Sequence, residues 1–252
     1  MTYESESYMK IDEKQFKSRL NSVFSANGLS SMLNSERVEK FLLLTNIMLE
    51  ENEKYNLTAI TNPNKIILNH YADCAAIAAI LKSGENVADI GCGAGFPTLP
   101  IAILRPDVKI TGVDSTAKRI NYVNATADLL GLTNVTAITA RAEDLAGGPM
   151  RESFDTVTAR AVANMRVLTE LCLPLVKVGG RMVAMKGKNA EFELNESKKA
   201  LAVLGGKLAS VKEVKLKDID EELSHPLIII DKKTKTPQAY PRAFAQISKK
   251  PL

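Results

Sequence analysis

The chain has 252 residues and a formal net charge of +4 at pH 7, with 45% hydrophobic and 25% charged residues, the ordinary balance of a globular protein. No apolar run reaches the roughly 18 to 20 residues of a membrane-spanning helix, and the N-terminal MTYESESYMKIDEK carries acidic residues where a signal peptide is basic and then apolar, so we expect a cytoplasmic protein without a membrane partner. The three scattered cysteines form no CxxC pair and there are two histidines, which argues against a disulfide framework and a structural zinc site.

Residues 10–81 have the apolar spacing of helices. The segment that opens with Ser35, a candidate N-cap, repeats apolar residues at helical intervals. The Asn-Pro pair at 62–63 interrupts this pattern, and a second helix is predicted over 64–81. Together these elements predict an N-terminal helical region over residues 1–84.

From residue 86 onward, short β-branched runs alternate with helical stretches. The strand candidates read NVADI, KITGVD, NVTAIT, FDTVTAR, RMVAMKG, KLASVKEVKL and LIIID, and the helix candidates lie around 98–105, 116–131, 163–177 and 189–204. Helix-length connections predict parallel strands, and therefore an open α/β sheet with helices on both faces. Because only KDIDEELSH separates the last two strands, we predict a hairpin there, with an antiparallel strand at the end of the sheet. This α/β domain is predicted to cover residues 85–233.

After Asp231 the chain reads KKTKTPQAYPRAFAQISKKPL, which contains six Lys or Arg residues and no acidic residue. Such a basic end is usually a solvated tail. It would gain a role in binding phosphates if the rest of the chain pointed to RNA or DNA as the substrate. We therefore predict a basic C-terminal tail over residues 234–252.

The stretch ADIGCGAGFPTLP places Gly91, Gly93 and Gly95 between the first predicted strand and a helix. Open parallel sheets bind ligands beyond the carboxyl ends of their strands, and glycine lets the backbone turn sharply and approach a ligand. A dinucleotide-binding loop of the GxGxxG type would need its third glycine where this chain has Phe96. The D-x-G-x-G-x-G spacing found here is instead typical of methyltransferases that use S-adenosyl-L-methionine (AdoMet), a ligand without a pyrophosphate.

Two later positions support a nucleoside ligand. Asp114 ends the second predicted strand, where a carboxylate can accept hydrogen bonds from ribose hydroxyls in dinucleotide and AdoMet enzymes alike. Ala142 and Glu143 follow the third strand, at the place where an adenine ring would lie. Glu143 fits equally well as an acidic residue at a helix N-terminus, so its role stays open between the two.

Longer motifs throughout the chain resemble one family. They are YNLTAI (55–60), HYAD (70–73), DIGCGAGFPTLPIAI (89–103), VDSTAKRI (113–120), RAED (141–144), TARAVA (158–163), LCLPLVKVGG (171–180), MKG (185–187) and PQAYPR (237–242). With these motifs the chain is similar to the RsmG (GidB) family of 16S ribosomal RNA guanine-N7 methyltransferases. The resemblance covers nearly the whole chain except its first few residues. One difference is Cys74, where the family usually has Ser.

The resemblance implies a class I AdoMet-dependent methyltransferase fold, which is Rossmann-like with a mostly parallel seven-stranded sheet, preceded here by the N-terminal helical region. It implies AdoMet as the methyl donor, without a metal. As target it implies N7 of one guanine in the decoding-region loop of 16S rRNA, in a 30S subunit or an assembly intermediate. We expect the enzyme to be a monomer.

Taken with the spacing of the motifs, the resemblance also assigns roles to single residues. The expected cofactor-binding residues are Gly91, Gly93, Phe96, Asp114, Ala142, Glu143 and Arg160, and the expected catalytic residues are Arg160 and Lys186. Asn56, His70 and Asp73 would close over the site from the helical region. Without the resemblance, a helix C-cap would be favoured for Asn56 and a packing role for His70.

The motifs of other base methylations are missing from the sequence. Cytosine C5 methylation needs a cysteine nucleophile, usually after a proline, and none of the three cysteines has that context. Adenine N6 methylation goes with a [DN]PP[YF]-like motif after the fourth strand, where this chain has TARAVA. Guanine N7 carries an exposed lone pair and no proton, so alignment in a site that excludes water suffices. Arg160 and Lys186 would then hold a phosphate or the O6 edge of the guanine.

RNA contacts are expected from basic residues at 116–120, at 181–188 and in the tail, so removal of 233–252 should weaken RNA binding more than AdoMet binding. With 5% aromatic residues and no Trp, extensive base stacking is not expected. Two alternatives stay open. One is an AdoMet methyltransferase with another substrate, weakly disfavoured by the basic tail. The other is a non-catalytic AdoMet- or rRNA-binding assembly protein, disfavoured by the intact glycine loop, Asp114 and Arg160.

Overall fold

The structure is a computed structural model that describes residues 11–219 and 221–252. Residues 1–10, which the sequence assigns to the helical region, lie outside the described residues. The N-terminal helices are α1 (Glu13–Ala26), α2 (Ser35–Tyr55), α3 (Pro63–Ile66) and α4 (Asp73–Ala78), and a π-helical turn, Ile67–Ala72, joins the last two. Within the described ranges, no helix combines the length and the apolarity that a bilayer crossing demands.

The two ends of α2 differ in how well the sequence predicts their capping residues. Ser35 is the first helical residue, and the N-cap is Asn34, whose side-chain oxygen accepts from the backbone N–H of Arg37 at 2.8 Å. The prediction of Ser35 as N-cap is therefore wrong by one residue, because the carboxamide of Asn34 caps as well as a serine hydroxyl would. At the other end, Asn56 is the C-cap with a left-handed φ of 49°, which confirms that interpretation.

One sheet forms the centre of the described part of the chain. Its strands are β1 (Asn86–Ile90), β2 (Lys109–Asp114), β3 (Val135–Thr139), β4 (Phe154–Arg160), β5 (Val176–Met185), β6 (Gly206–Lys217) and β7 (Glu222–Lys232). The helices among and after them are α5 (Thr98–Leu104), α6 (Ala117–Leu129), α7 (Ala142–Gly147), α8 (Met165–Cys172), α9 (Ala190–Glu196), α10 (Lys198–Leu204) and α11 (Phe244–Lys249).

The strand order is β3-β2-β1-β4-β5-β7-β6. β7 runs antiparallel to both β5 and β6, and the other neighbouring pairs are parallel. This confirms the predicted mostly parallel seven-stranded sheet with an antiparallel hairpin at its end. From β1 the chain continues to β2 and β3 on one side of it, and then crosses back to β4 on its other side. The carboxyl ends of β1 and β4 therefore flank the point where an open α/β sheet binds its ligand.

Each face of the sheet carries a hydrophobic core. The N-terminal helices bury Phe24, Phe41 and Tyr71 in one core, together with side chains of β1, β2 and β5. On the opposite face, α8 and α10 contribute Leu168 and Leu201 to the second core. Because the N-terminal helices pack directly on the sheet, the π-helical turn and α4 are held close to the strand ends.

Three predicted helices are divided or end early in the structure. The helix expected over 64–81 is divided into α3 and α4 by the π-helical turn and ends at Ala78. The helix expected over 163–177 ends as α8 at Cys172, because Pro174 removes a backbone donor and the chain turns into β5. The helix expected over 189–204 is divided into α9 and α10 at Ser197. Its hydroxyl donates to the carbonyl of Leu194 at 2.8 Å, a local bond that competes with a continuous helix.

The C-terminal residues 234–252 pack against α8. Ile247 of α11 is completely buried in the second core. Arg242 donates two side-chain hydrogen bonds to the carboxylate of Glu170, at 2.8 and 2.6 Å, and Glu170 is itself 0% exposed. The expectation of a solvated tail is therefore wrong for this segment, because it supplies an aliphatic and a charged side chain to the interior.

Candidate active site

The loop after β1 requires glycine at two positions. Gly91 and Gly95 have φ angles of +71° and +84°, in the left-handed region. A Cβ atom on Gly91 would lie 2.7 Å from Cγ2 of Val162, and one on Gly95 would lie 2.7 Å from Cδ1 of Leu99. Conformation and space both exclude a side chain, so the loop presents bare backbone at the carboxyl end of β1.

A buried carboxylate fixes the start of the helix that follows this loop. Asp89 accepts hydrogen bonds from the hydroxyl of Thr98 at 2.6 Å and from its backbone N–H at 3.2 Å. Burial raises the pKa of Asp89 to about 7, although the bonds from Thr98 act in the opposite direction. The loop is thereby held at both ends, by β1 and by the first residue of α5.

Asp114, at the end of β2, faces the same loop. Its carboxylate accepts the backbone N–H of Gly93 at 3.1 Å and that of Thr116 at 2.8 Å, and Arg119 Nη1 lies 3.5 Å away. A carboxylate oxygen can accept more than one hydrogen bond. Asp114 is therefore fixed by backbone donors and still has acceptor capacity for hydroxyl groups.

A crevice of about 300 Å³ opens between the ends of β1, β2 and β4. Four residues expected to bind the cofactor are part of its lining: Gly91, Asp114, Ala142 and Glu143. Of the other three, Gly93 donates its backbone N–H to Asp114. Phe96 and Arg160 contact each other in a neighbouring group of side chains, described below. The structure thus brings most of the expected cofactor residues to one cavity.

The crevice has the chemistry of a nucleoside site. Asp114 and Glu143 supply carboxylate acceptors, and Val162 and Leu171 supply apolar wall. Glu143 is nearly buried, with Arg141 Nη1 at 4.0 Å. These residues fit AdoMet, because a carboxylate can accept from ribose hydroxyls and the bare backbone at Gly91 leaves room for a ligand.

A second group of side chains lies next to the crevice, around Arg160 at the end of β4. The ring of His70 stacks on Phe96, with centroids 4.4 Å apart and an angle of 22°. Arg160 lies over the same ring, with Cζ 5.6 Å from its centroid. Its Nη1 donates to Asp73 Oδ2 at 3.3 Å, and the other oxygen of Asp73 bonds Nε2 of His225 at 2.5 Å. We call these five residues the arginine cluster.

The two histidines of the arginine cluster have opposite electrostatic environments. Burial, reinforced by the charge of Arg160, lowers the pKa of His70 to about 3, so its imidazole is neutral at physiological pH. Burial also acts to lower the pKa of His225, but the hydrogen bond to Asp73 and the charge of that carboxylate outweigh it and raise the pKa. Asp73 is therefore held between two cationic or potentially cationic partners.

Lys186, expected to face the same crevice, is engaged elsewhere. Its Nζ donates to the carbonyl of Ala163 at 2.7 Å and lies 2.6 Å from Glu193 Oε2. Glu193 also accepts the backbone N–H of Met165 at 2.9 Å. Lys186 ties the β4–α8 loop to α9, and its catalytic role stays a prediction.

Two residues of this region were not predicted from the sequence. His225 is 152 positions from Asp73, and nothing in the spacing of the strand LIIID points to it. Phe244 lines the crevice from α11, within the segment taken for a tail. The PQAYPR motif just before it was the available signal that this end of the chain is structured.

Comparisons with known proteins agree with this architecture. The family model described as rRNA small subunit methyltransferase G, GidB, matches residues 37–223. The Ribosomal RNA small subunit methyltransferase G of Clostridium perfringens (strain 13 / Type A) is 49% identical over 222 residues, 87% of this chain and 92% of that protein. The protein of the same name from Desulfitobacterium hafniense (strain Y51) is 46% identical over 226 residues, 89% of this chain and 93% of that protein. Among solved structures, M. jannaschii TYW2 in complex with AdoMet aligns with a TM-score of 0.52 and 18% identity over 64% of this chain and 75% of that chain, a likeness of fold.

Proposed function

We propose that this chain, which belongs to the GidB family, rRNA small subunit methyltransferase G, transfers a methyl group from AdoMet to N7 of one guanine in 16S rRNA. The observation that carries the proposal is that two sites meet at one edge of the sheet. The crevice has the acceptors and the bare backbone of a nucleoside site. The arginine cluster beside it holds the guanidinium of Arg160, whose side chain is 19% exposed and can donate to the edge of a purine or to a phosphate.

The reaction needs alignment and no proton transfer. When bound, AdoMet supplies a methyl carbon made electrophilic by its sulfonium. Held by Gly91, Asp114, Ala142 and Glu143, it would give that carbon to the lone pair of guanine N7 and leave as a neutral thioether, with the positive charge passing to the guanine ring. The protein must therefore hold N7 in line with that bond and exclude water.

The arginine cluster supplies the groups for holding the guanine. The guanidinium of Arg160 is planar and always charged, so it can donate to O6 or to a phosphate without delivering a proton to N7. Asp73 and His225 fix its orientation through the shared carboxylate. His70, neutral because of its low pKa, likewise offers no acidic proton that would block N7.

The cysteines support guanine N7 over pyrimidine C5 as the target. Cys74, Cys92 and Cys172 are all buried. Burial raises the pKa of each thiol above its usual range, so a thiolate nucleophile is disfavoured at all three positions. Methyl transfer to C5 would depend on such a nucleophile, whereas transfer to N7 does not.

RNA would be bound by exposed cations around the crevice. Arg119 and Arg141 line it with side chains that are about half exposed. Of the basic residues expected at 181–188, Arg181 is bound to Glu85 at 2.8 Å, and Lys188 is exposed. Contacts of such residues with phosphates weaken as salt rises. A monomer acting on the 30S subunit, or on an assembly intermediate, is consistent with this distribution.

The test is methyl transfer from tritium-labelled AdoMet to 30S subunits and to free 16S rRNA, both lacking N7-methylguanosine. The matched control is the same RNA already methylated at that base. We expect label in N7-methylguanosine at one site, and none in the control. Label in another nucleoside would overturn the assigned atom. AdoMet binding without any labelled RNA would overturn the substrate, and absence of AdoMet binding would overturn the assignment of the crevice.

A further inference from the structure

The crevice receives one aromatic side chain from the C-terminal end of the chain. Phe244, the first residue of α11, lines it together with Arg141, Ala142 and Glu143. The guanidinium of Arg141 lies over the Phe244 ring, with Cζ 5.6 Å from the ring centroid. Phe244 lies outside residues 37–223, which the family model covers, so nothing in that match assigns it a role.

Contacts on both sides of Phe244 fix its place at the crevice. Two residues before it, Arg242 is bound through two side-chain hydrogen bonds to the buried carboxylate of Glu170. Three residues after it, Ile247 is buried in the core. Upstream, Arg151 donates to the carbonyl of Tyr240 at 2.7 Å. Phe244 itself is 40% exposed and lines the cavity, so the fold anchors the backbone around it and leaves its side chain at the cavity.

The position of the Phe244 ring indicates which part of a bound AdoMet it would face. Phe244 touches Arg141, directly before Ala142 and Glu143 at the end of β3. This side of the crevice lies next to Asp114 of β2, the acceptor for ribose hydroxyls, because β2 and β3 are neighbours. Purines stack on aromatic side chains regardless of their hydrogen-bonding edges.

We propose that Phe244 is a binding residue for the adenosine part of AdoMet and forms the wall against which the purine packs. This inference rests on the proposed function, since it takes AdoMet as the ligand of the crevice. The C-terminal segment then belongs to the donor site, and α11, anchored in the core by Ile247, carries the ring.

The test is calorimetric binding of S-adenosylhomocysteine and of 5′-methylthioadenosine to the full chain and to Phe244→Ala. Loss of one aromatic contact with a base is expected to weaken binding about tenfold. Both ligands contain the adenosine, so both should lose affinity by the same factor. The control is Phe192→Ala, which removes another exposed phenylalanine, on α9 and outside the crevice lining, and should leave both affinities unchanged.

The outcomes separate this inference from the proposed function. If the wild-type chain binds neither ligand, the proposed function fails. If it binds both and Phe244→Ala binds them equally well, Phe244 has no such role. Weakened binding of S-adenosylhomocysteine alone would assign the ring to the amino-acid part and overturn the proposal. Phe244→Leu keeps an apolar wall without the ring, and an intermediate loss with an unchanged unfolding temperature would support stacking over a folding defect.

Discussion

At the scale of single residues, the arginine cluster contains the chain's two histidines, and the fold shifts their pKa values in opposite directions. The pKa of His225 is raised in the fold, so its contribution to stability is fully present below about pH 6.5 and is lost as the pH rises through the folded pKa. The pKa of His70 is lowered to about 3, so the unfolded chain takes up its proton first as the pH falls. His70 therefore costs stability increasingly from about pH 6.5 downward.

We expect two substitutions to change the pH dependence of stability with opposite signs. Relative to the wild type, His225→Gln should lose the most free energy of unfolding near pH 6, about 1 kcal/mol at most. The loss should be smaller near pH 9. His70→Gln should be least destabilised, or even stabilised, near pH 5. The measurement is the urea midpoint of unfolding across this range.

An NMR titration provides an independent control for these assignments. With two imidazoles in the chain, each variant should remove one imidazole signal. One signal should titrate above the usual pKa and the other should remain neutral throughout the range above about pH 5. Two ordinary titrations near pH 6.5 would show that the Asp73 contact and the burial of His70 do not persist in solution.

Arg160 is the residue on which methyl transfer should depend most. In Arg160→Ala, we expect transfer to fall at least about 100-fold, because a fixed charge at the guanine is lost. The affinity for S-adenosylhomocysteine should change little, since Arg160 does not line the crevice. Stability should fall by about 2 kcal/mol, because the partly buried pair is broken and, among the described residues, Asp73 keeps its hydrogen bond to His225 alone.

A matched variant distinguishes that effect from a loss of stability. The side chain of Arg19 has the same degree of exposure, 20% against 19% for Arg160, and within the described part of the chain its one carboxylate partner is Asp218, at 2.7 Å. Arg19→Ala should lose comparable stability and keep wild-type transfer. If Arg160→Ala retains the rate of Arg19→Ala, its assigned role is wrong.

At the scale of elements, the turn between β1 and α5 combines left-handed backbone with close packing. Gly91 lies beside Val162, which follows β4, and both residues line the crevice. A Cβ atom at Gly91 would lie 2.7 Å from Cγ2 of Val162, so Val162 would have to move. A side chain at Gly131, where φ is +62°, would meet no heavy atom within 4 Å. The two positions therefore separate backbone strain from steric intrusion.

Gly91→Ala should weaken the binding of S-adenosylhomocysteine about tenfold or more, because its Cβ displaces Val162 in addition to straining the backbone. Gly131→Ala should lose about 1 kcal/mol of stability from strain alone and keep full affinity. Calorimetric binding and urea unfolding of both variants check this. Equal affinities in the two variants would mean that the contact with Val162 does not shape the donor site.

At the scale of the whole molecule, the C-terminal segment is anchored by a buried ion pair. Glu170 is 0% exposed and accepts the guanidinium and the backbone N–H of Arg242. Removal of residues 233–252 would leave this carboxylate without these donors and expose the core that Ile247 covers. Removal was expected from the sequence to weaken RNA binding more than AdoMet binding. With this anchor, it would also destabilise the fold and remove Phe244 from the crevice, so we expect AdoMet binding to fall as well.

Single and double substitutions test this anchor without shortening the chain. Arg242→Ala should cost about 3 kcal/mol, since it leaves a buried charge without its partner. Adding Glu170→Gln should restore part of that loss, because the remaining group is neutral. Urea unfolding of the double-mutant cycle measures the coupling. Purely additive losses would show that the pair does not interact in solution.

Much of this molecule could be predicted from local patterns. The alternation of strands and helices, the hairpin, the glycine loop and Asp114 each depend on neighbours in the sequence, on strand period or on turn sterics. The errors at helix ends were also local. Ser35 and Asn34 are both good caps, and the helix expected over 163–177 was extended past Pro174. The placement of Ala142 and Glu143 in the crevice followed from the same strand-end reasoning.

The sequence by itself determined the fold class and the strand ends at which the crevice opens, because periodicity and backbone sterics act over a few residues. Only the tertiary structure decided which distant side chains share those ends. His225 meets Asp73 across 152 residues, and Arg242 meets Glu170 across 72. No local spacing encodes such pairs, because they arise when sheet order and helix packing bring strand ends together. For that reason the segment taken for a tail became a wall of the crevice.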